Sequence, residues 1–377
     1  MSSLGNKKPG LLEKTGLYYF HKYKKKDFEK NITRDIGDDA YIAKRIRRAT
    51  IFGALIAFCI GGISAGGSVF VEEYFSDSPP LILYSWLSIV TVVLTIIEFA
   101  VLYWVSLRTV FMISRVAGHP EEDSEIIAGE SINLLLARAA LEVPDPVRNY
   151  LGIDPLSRVS KKKLVLLGFF YKLKIMMSNV VAKLILRRVA GKSVLRVSVA
   201  YISVIITGLW NAIVLVKTVQ EARLRLFGNL IAKYISKEIF TEEKIQGLSK
   251  EAKIGCIQAI GNSIVLTQNY HPNMLILIVR LSEILKVNEK KDFANWKEFL
   301  DTLESVNQEE RFLLLNILTI AAAFDGKLSR LEKRDLKEAF KEHTPIYYQR
   351  ITDLKNHLLA GRYNAAKSMC DLEFIPG

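Results

Sequence analysis

Residues Ala49–Val71 read ATIFGALIAFCIGGISAGGSVFV, 23 consecutive positions without a charge. Wound as an α-helix they extend about 34 Å, enough for a hydrocarbon core of roughly 30 Å. A buried core helix of a large soluble protein offers the competing explanation. It is weakened by a second apolar run close behind, LILYSWLSIVTVVLTIIEFAVLYWVSL at 81–107, which is interrupted only by Glu98. Two such runs joined by the short EEYFSDSPP predict a transmembrane helical hairpin over 49–107.

The flanks orient it. Lys44, Arg45, Arg47 and Arg48 precede the first run, Arg108 and Arg115 follow the second, and the connecting loop carries three acids and no base. Basic residues stay on the cytoplasmic face, so both ends of the hairpin are expected there. Gly53, Gly61, Gly62 and Gly66 line the first run at helical spacing. Small residues let helix backbones approach, so this face is expected to pack on the second span or on another copy of the chain. Glu98 is an intramembrane acid. A carboxylate at that depth points to transport or proton movement, or to a hydrogen bond within the hairpin to Ser64, Ser68 or another polar group.

A third run, VSVAYISVIITGLWNAIVLV at 197–216, has bases on both sides, and charge gives no vote on it. If it spans, a two-plus-one count puts the C-terminal third outside. If it is buried or re-entrant, that third stays in the cytoplasm. Gly208, Trp210 and Asn211 near its middle favour packing against protein and hence the cytoplasmic placement.

The net charge of +13 over 377 residues is unevenly placed. Residues 1–50 carry +7, and 155–220 hold 12 bases and no acid. Lys161, Lys162, Lys163, Lys172, Lys174, Lys183, Arg187, Arg188, Lys192 and Arg196 are interleaved there with Leu, Phe, Ile and Val. This is the pattern of amphipathic helices on an anionic membrane surface. A nucleic-acid reader needs its bases on a solvated face, so anionic lipid is the expected partner and nucleic acid is not. Upstream, 118–148 is acidic and helical; His119 with Glu121, Glu122 and Asp123 reads as a solvated turn. Three scattered cysteines exclude a disulfide framework and any CxxC site.

From about Glu221 the chain changes to short amphipathic helices, and the whole is expected to be all-α. Four domains are expected: a basic segment 1–48, the hairpin 49–107, a cationic membrane-proximal region 108–220 and a helical domain 221–377. Start signals recur in the last of these, at Thr241, Asn295 with Glu298, Asn307 with Glu310, and Ser329 with Glu332. The stretch FDGKLSRLE mimics half of a calcium loop, with Asp325, Gly326 and Glu332 in register. The first and third positions are Ala321 and Ala323, where an EF-hand requires oxygen donors. The alternative is an Asp-Gly turn followed by a Ser329–Glu332 capping box.

LLNILTIAAAFDGKLSRLEKRDLKEAF, and more weakly CIQAIGNSIVLTQNYHPNMLILIVRLSEIL at 256–285, resembles the repeated helix–turn–helix of tellurite-resistance (TerB-like) domains. At an offset of about 56 residues, Asn269 matches Asp325, Asn273 matches Ser329 and Ile276 stands where Glu332 does. The resemblance covers roughly 222–345 and implies paired acidic turns that can hold Ca²⁺ or Mg²⁺, here reduced to Asp325 and Glu332. Residues 1–220 resemble a bacterial membrane-protein type, from which no activity follows, and a bacterial inner membrane is the expected location. No phosphate loop, dinucleotide fingerprint, nucleophile elbow or HExxH is present. The expectation is a non-enzymatic, multi-pass membrane scaffold or envelope-stress protein that docks a cytosolic partner. The alternative is a small transporter or channel subunit built on Glu98 and a third span.

Overall fold

A computed structural model describes residues 10–27, 38–117, 131–141, 150–155, 196–268, 271–287 and 292–376. The fold is all-α, with no strand among the described residues and one isolated bridge, Tyr150–Ile153. The helices are α1 Leu11–Asp27, α2 Asp39–Tyr74, α3 Pro80–Val116, α4 Ile132–Ala140 and α5 Arg196–Tyr234, which continues into a π-helical turn Ile235–Ile239. Then come α6 Glu242–Gly247, α7 Lys250–Thr267, α8 Pro272–Ile284, α9 Trp296–Ser305, α10 Gln308–Ala323, α11 Arg330–Phe340, α12 Thr344–Ala360 and α13 Tyr363–Met369. Lys161 to Lys192 of the cationic stretch, together with His119, Glu121, Glu122, Asp123 and Asn269, lie outside the described residues; Arg196 opens α5.

The chain divides into two compact units, Arg47–Met112 with Ser160–Val219, and Met1–Ile46 with Ile113–Val159 and Gln220–Gly377. The chain passes between the two units after residues 46, 112, 159 and 219. The segments before and after the hairpin belong to the same folded unit as the C-terminal helices.

In the apolar unit, α2, α3 and the first part of α5 are packed through glycine. A Cβ on Gly53 would meet Leu215 at 2.8 Å and Thr109 at 2.9 Å, and one on Gly61 would meet Asn211 at 2.5 Å. Gly62 and Gly66 face Val204, and Gly208 lies against the Phe58 carbonyl. The small-residue face of α2 is therefore occupied chiefly by α5 of the same chain, a partner not foreseen from the hairpin alone. Trp86 and Trp104 mark two levels of α3, separated by about 27 Å of helix. Trp86 stacks on Phe75 with ring centroids 6.0 Å apart, and Arg108 lies 5.2 Å over Trp104. Amphipathic rings at two such levels are what membrane interfaces favour. Among the described residues three helices, Asp39–Tyr74, Pro80–Val116 and Val204–Ile239, are long and apolar enough to cross a membrane.

The helical unit has a conventional core. α7 is buried on nearly all sides and is surrounded by α8, α9, α10 and α11, while α12 packs on α10 and α13. Thr241, Asn295, Asn307 and Ser329 all cap the helices they announce, the first accepting from Lys244 N and the third from Glu310 N. Helix α4 is buried along almost its whole length, with α1 packed on it. Arg138 pairs with Glu13 at 2.5 Å, and the Arg225 guanidinium donates to the Leu135 carbonyl at 3.0 Å. Ile153 packs at Gly261, and Ile46 packs at Gly361. Chain from before α2, after α3 and after α5 thus shares one core.

Candidate functional site

Two buried polar clusters and one groove stand out. The first is in the apolar unit. Glu98 on α3 is 1% exposed, and its Oε1 accepts from Asn211 Nδ2 of α5 at 2.8 Å. Gly61 of α2 closes the same point, so three helices meet at one carboxylate–amide contact. The sequence singles out both residues but does not join them, because 113 positions separate them. Ser68 donates to the Ser64 carbonyl at 3.2 Å and lies 3.4 Å from Thr91. Next to hydrocarbon an unpaired amide or carboxyl costs several kcal/mol, so this contact fixes how α5 seats on the hairpin.

The second cluster forms where two helix–turn–helix segments meet, α7–α8 and α10–α11. Their first helices pack on one another. α7 ends at Gln268 in the left-handed region, and α8 starts at His271, whose Nδ1 accepts from Asn273 N. α10 ends at Phe324, and Asp325–Gly326 makes the turn, with Asp325 Oδ1 accepting from Lys327 N at 2.8 Å. Gly326 has φ +70°, and a side chain there would also strike Leu224 at 2.8 Å. The capping box is complete: Ser329 N donates to Glu332 Oε2 at 2.6 Å, and Glu332 N to Ser329 Oγ at 3.2 Å.

The two segments end their first helices 56 residues apart, at Thr267 and Ala323, but start their second helices 58 apart, at Pro272 and Arg330. The cap equivalent to Ser329 is therefore His271 and not Asn273. Asn273 has another task. Its amide donates to the Leu224 carbonyl at 2.8 Å and the Phe324 carbonyl at 3.1 Å, tying the first segment to α5 and to the second turn. Glu221 accepts from Arg225 Nε at 2.8 Å and sits 3.3 Å from His271 Nε2.

Burial raises the carboxyl pKa of Asp325, while the backbone hydrogen bond from Lys327 opposes the shift. Glu332, 1% exposed, is pushed up to about 7, first by burial and then by the neighbouring Asp325 charge. Glu332 Oε1 and Asn273 Oδ1 are buried without a hydrogen-bond partner. Asp325 and Glu332 each give one oxygen to the turn's own backbone. Ca²⁺ takes six to eight oxygens, and among the described residues no three His, Cys, Asp or Glu side chains are placed to hold a metal ion. These residues fit a structural turn better than a closed cation site.

The groove, a cavity of about 540 Å³, opens beside the π-helical turn and is lined by Tyr234, Glu238, Lys244, Lys367, Asp371 and Glu373 among others. Lys244 pairs with Glu373 and Lys367 with Glu238, each at 2.9 Å, and the Lys367 ammonium lies 4.1 Å over the Tyr234 ring. Glu243 and Asp371 also line it, so acids outnumber lysines around its walls. Nothing in the sequence pointed here, because the lining joins the end of α5, the π-helical turn and α6 to residues more than a hundred positions later.

The chain finds no significant match among protein-family models, curated proteins or solved structures.

Proposed function

We propose that this protein is a non-enzymatic membrane-anchored scaffold whose TerB-like helical unit docks a protein partner on the cytoplasmic face of a bacterial inner membrane. The observation that carries the reading is the interleaving of the chain, in which one folded core is assembled from segments lying before α2, after α3 and after α5. Such a core cannot be divided by a bilayer, so the chain has to return to it each time it leaves the apolar unit. Lys44, Arg47, Arg48 and Arg108 at the helix ends support the cytoplasmic side. The two helix–turn–helix segments that meet at Asn273 and Phe324 support the TerB-like reading. The groove, with its acidic excess, suits a basic segment of a partner, and the cationic stretch 157–196 suits anionic lipid.

A photo-crosslinking residue at Ser368, exposed on the groove, is expected to trap one discrete partner in living cells. The same residue at Asn356, exposed on α12, is expected to trap none. No adduct from Ser368, or equal adducts from both positions, would remove the docking role from this surface.

The Glu98–Asn211 contact favours a second reading, a small transporter or channel subunit. The two readings separate on Glu98→Gln, which keeps an oxygen to accept from Asn211 but cannot ionise. In proteoliposomes a scaffold is expected to show the same ion and proton permeability with either residue. Loss of a measurable flux in the variant, with the fold intact, would establish the transporter instead.

A further inference from the structure

We infer that α5 is a third membrane-crossing helix, that it runs in the same sense as α3, and that its outer face is a lipid-facing surface. The inference rests on the membrane-anchor reading and deepens it.

The two faces of α5 are inverted relative to a helix of a water-soluble protein. Thr207, Asn211, Leu215 and Thr218, at helical spacing, are all buried. On the opposite side Ile202, Ile205, Ile206, Leu209, Trp210 and Ile213 are each at least 40% exposed. A polar seam turned inward with an uninterrupted apolar stripe turned outward is stable in hydrocarbon and costly in water. Trp210 and Asn211, neighbours in sequence, thus have opposite environments. The sequence expectation that Gly208, Trp210 and Asn211 pack against protein holds for Gly208 and Asn211 and not for Trp210.

The sense of α5 is set by its contacts. Along α2, Gly53 meets Leu215, Gly61 meets Asn211, and Gly62 and Gly66 meet Val204. Numbers rise along α2 as they fall along α5, so the two helices are antiparallel. Gly53 also meets Val105 and Thr109, while Gly67 meets Leu94, so α3 is antiparallel to α2 as well. α3 and α5 are therefore parallel. The Val204 end of α5 lies at the level of the 75–79 loop end of the hairpin, and Leu215 lies at the level of its two basic ends. The chain leaves α5 on the face from which α2 entered. A crossing by α5 therefore keeps the C-terminal helices on the N-terminal side, contrary to the two-plus-one count.

A reporter fused after Gly377 cannot test this, because the C-terminus occupies the same face whether or not α5 crosses. Single cysteines at Asp77, Ser198 and Glu373, probed with a membrane-impermeant maleimide on intact and then permeabilised cells, can. The wild-type chain serves as the blank. Cys256 and Cys370 are fully buried, burial holds both thiols up (Cys370 to about 12), and Cys59 lies within an apolar helix. Expected are labelling of D77C and S198C on intact cells and of E373C only after permeabilisation. If S198C tracks E373C while D77C does not, α5 does not cross and the inference falls, with the hairpin anchor intact. If D77C and E373C label on the same face, the anchor reading itself fails. Should S198C not reach the membrane, V197C reports the same level.

Discussion

Gly228→Ala lowers the thermal midpoint of the detergent-solubilised protein by about 10 °C, the scale of a loss near 4 kcal/mol in a domain of this size. On an exposed helix the same change would stabilise, by up to about 1 kcal/mol. Here the position of the added methyl is already filled by the Asn273 carboxamide, whose Nδ2, Cγ and Oδ1 atoms all fall inside 3.0 Å of it. Asn273 has no exposed surface into which to retreat. It must either leave the Leu224 and Phe324 carbonyls, each left buried at a cost of roughly 1–3 kcal/mol, or push α5 and α8 apart, at a similar cost for an overpacked core. The variant isolates this cause when paired with Asn273→Ala. Alone, N273A is expected to lose about 2 kcal/mol. In its background G228A is expected to become neutral or stabilising, giving strong positive coupling. Gly247→Ala, with nothing within 4 Å of its added atom, should leave the midpoint unchanged or slightly raised. Additive losses for Gly228 and Asn273 would mean that the close approach does not decide this packing.

Asn273 also marks the limit of what the sequence shows. The hairpin was legible because hydrophobic run length is read one residue at a time and a bilayer sets a length scale. The caps were legible for the same local reason: Ser329 and Glu332 are three apart, and the geometry of a first helical turn is fixed. Asp325–Gly326 was legible as a turn, and the missing donors at Ala321 and Ala323 excluded an EF-hand from the chain alone. The features that could not be read depend on distant partners. Asn273 looks like a helix start, yet its role is set by carbonyls 49 and 51 positions away. A two-residue difference between the turns moves the true cap to His271. Glu98 could be marked as an intramembrane acid, but only the antiparallel seating of α5 on α2 brings Asn211 to it. The glycine face showed that something packs closely without showing what. The fate of the third run turned on which residues face out, and composition averages over both faces.

Glu332 makes the stability of the helical unit fall as pH rises from about 4.5 to 7. The folded chain holds the Glu332 proton up to about pH 7, and the unfolded chain releases it near 4.5. Between those values the folded state binds more protons, so the slope of stability against pH is negative. The contribution is fully present below 4.5, is lost across the window and is gone above 7. A shift of this size corresponds to about 3 kcal/mol. The physical cause is that deprotonation leaves a charge 1% exposed, beside Asp325, with Oε1 unpartnered. Glu332→Gln retains an oxygen for the Ser329 amide and with it the capping box, but has no proton to lose. Its denaturation midpoint is expected to match the wild type near pH 5 and to exceed it at pH 8, with the difference opening across the window. Because Asp325, Glu221 and every other carboxylate are common to both chains, the difference curve isolates this one group. Parallel curves for the two proteins would show that Glu332 is already ionised in the fold at pH 5. The same pair of proteins also tests the cation question. If Ca²⁺ or Mg²⁺ bound the ionised carboxylate, millimolar metal at pH 8 would stabilise the wild type and not E332Q. With one Glu332 oxygen committed to Ser329 and no third ligand gathered, neither protein is expected to respond.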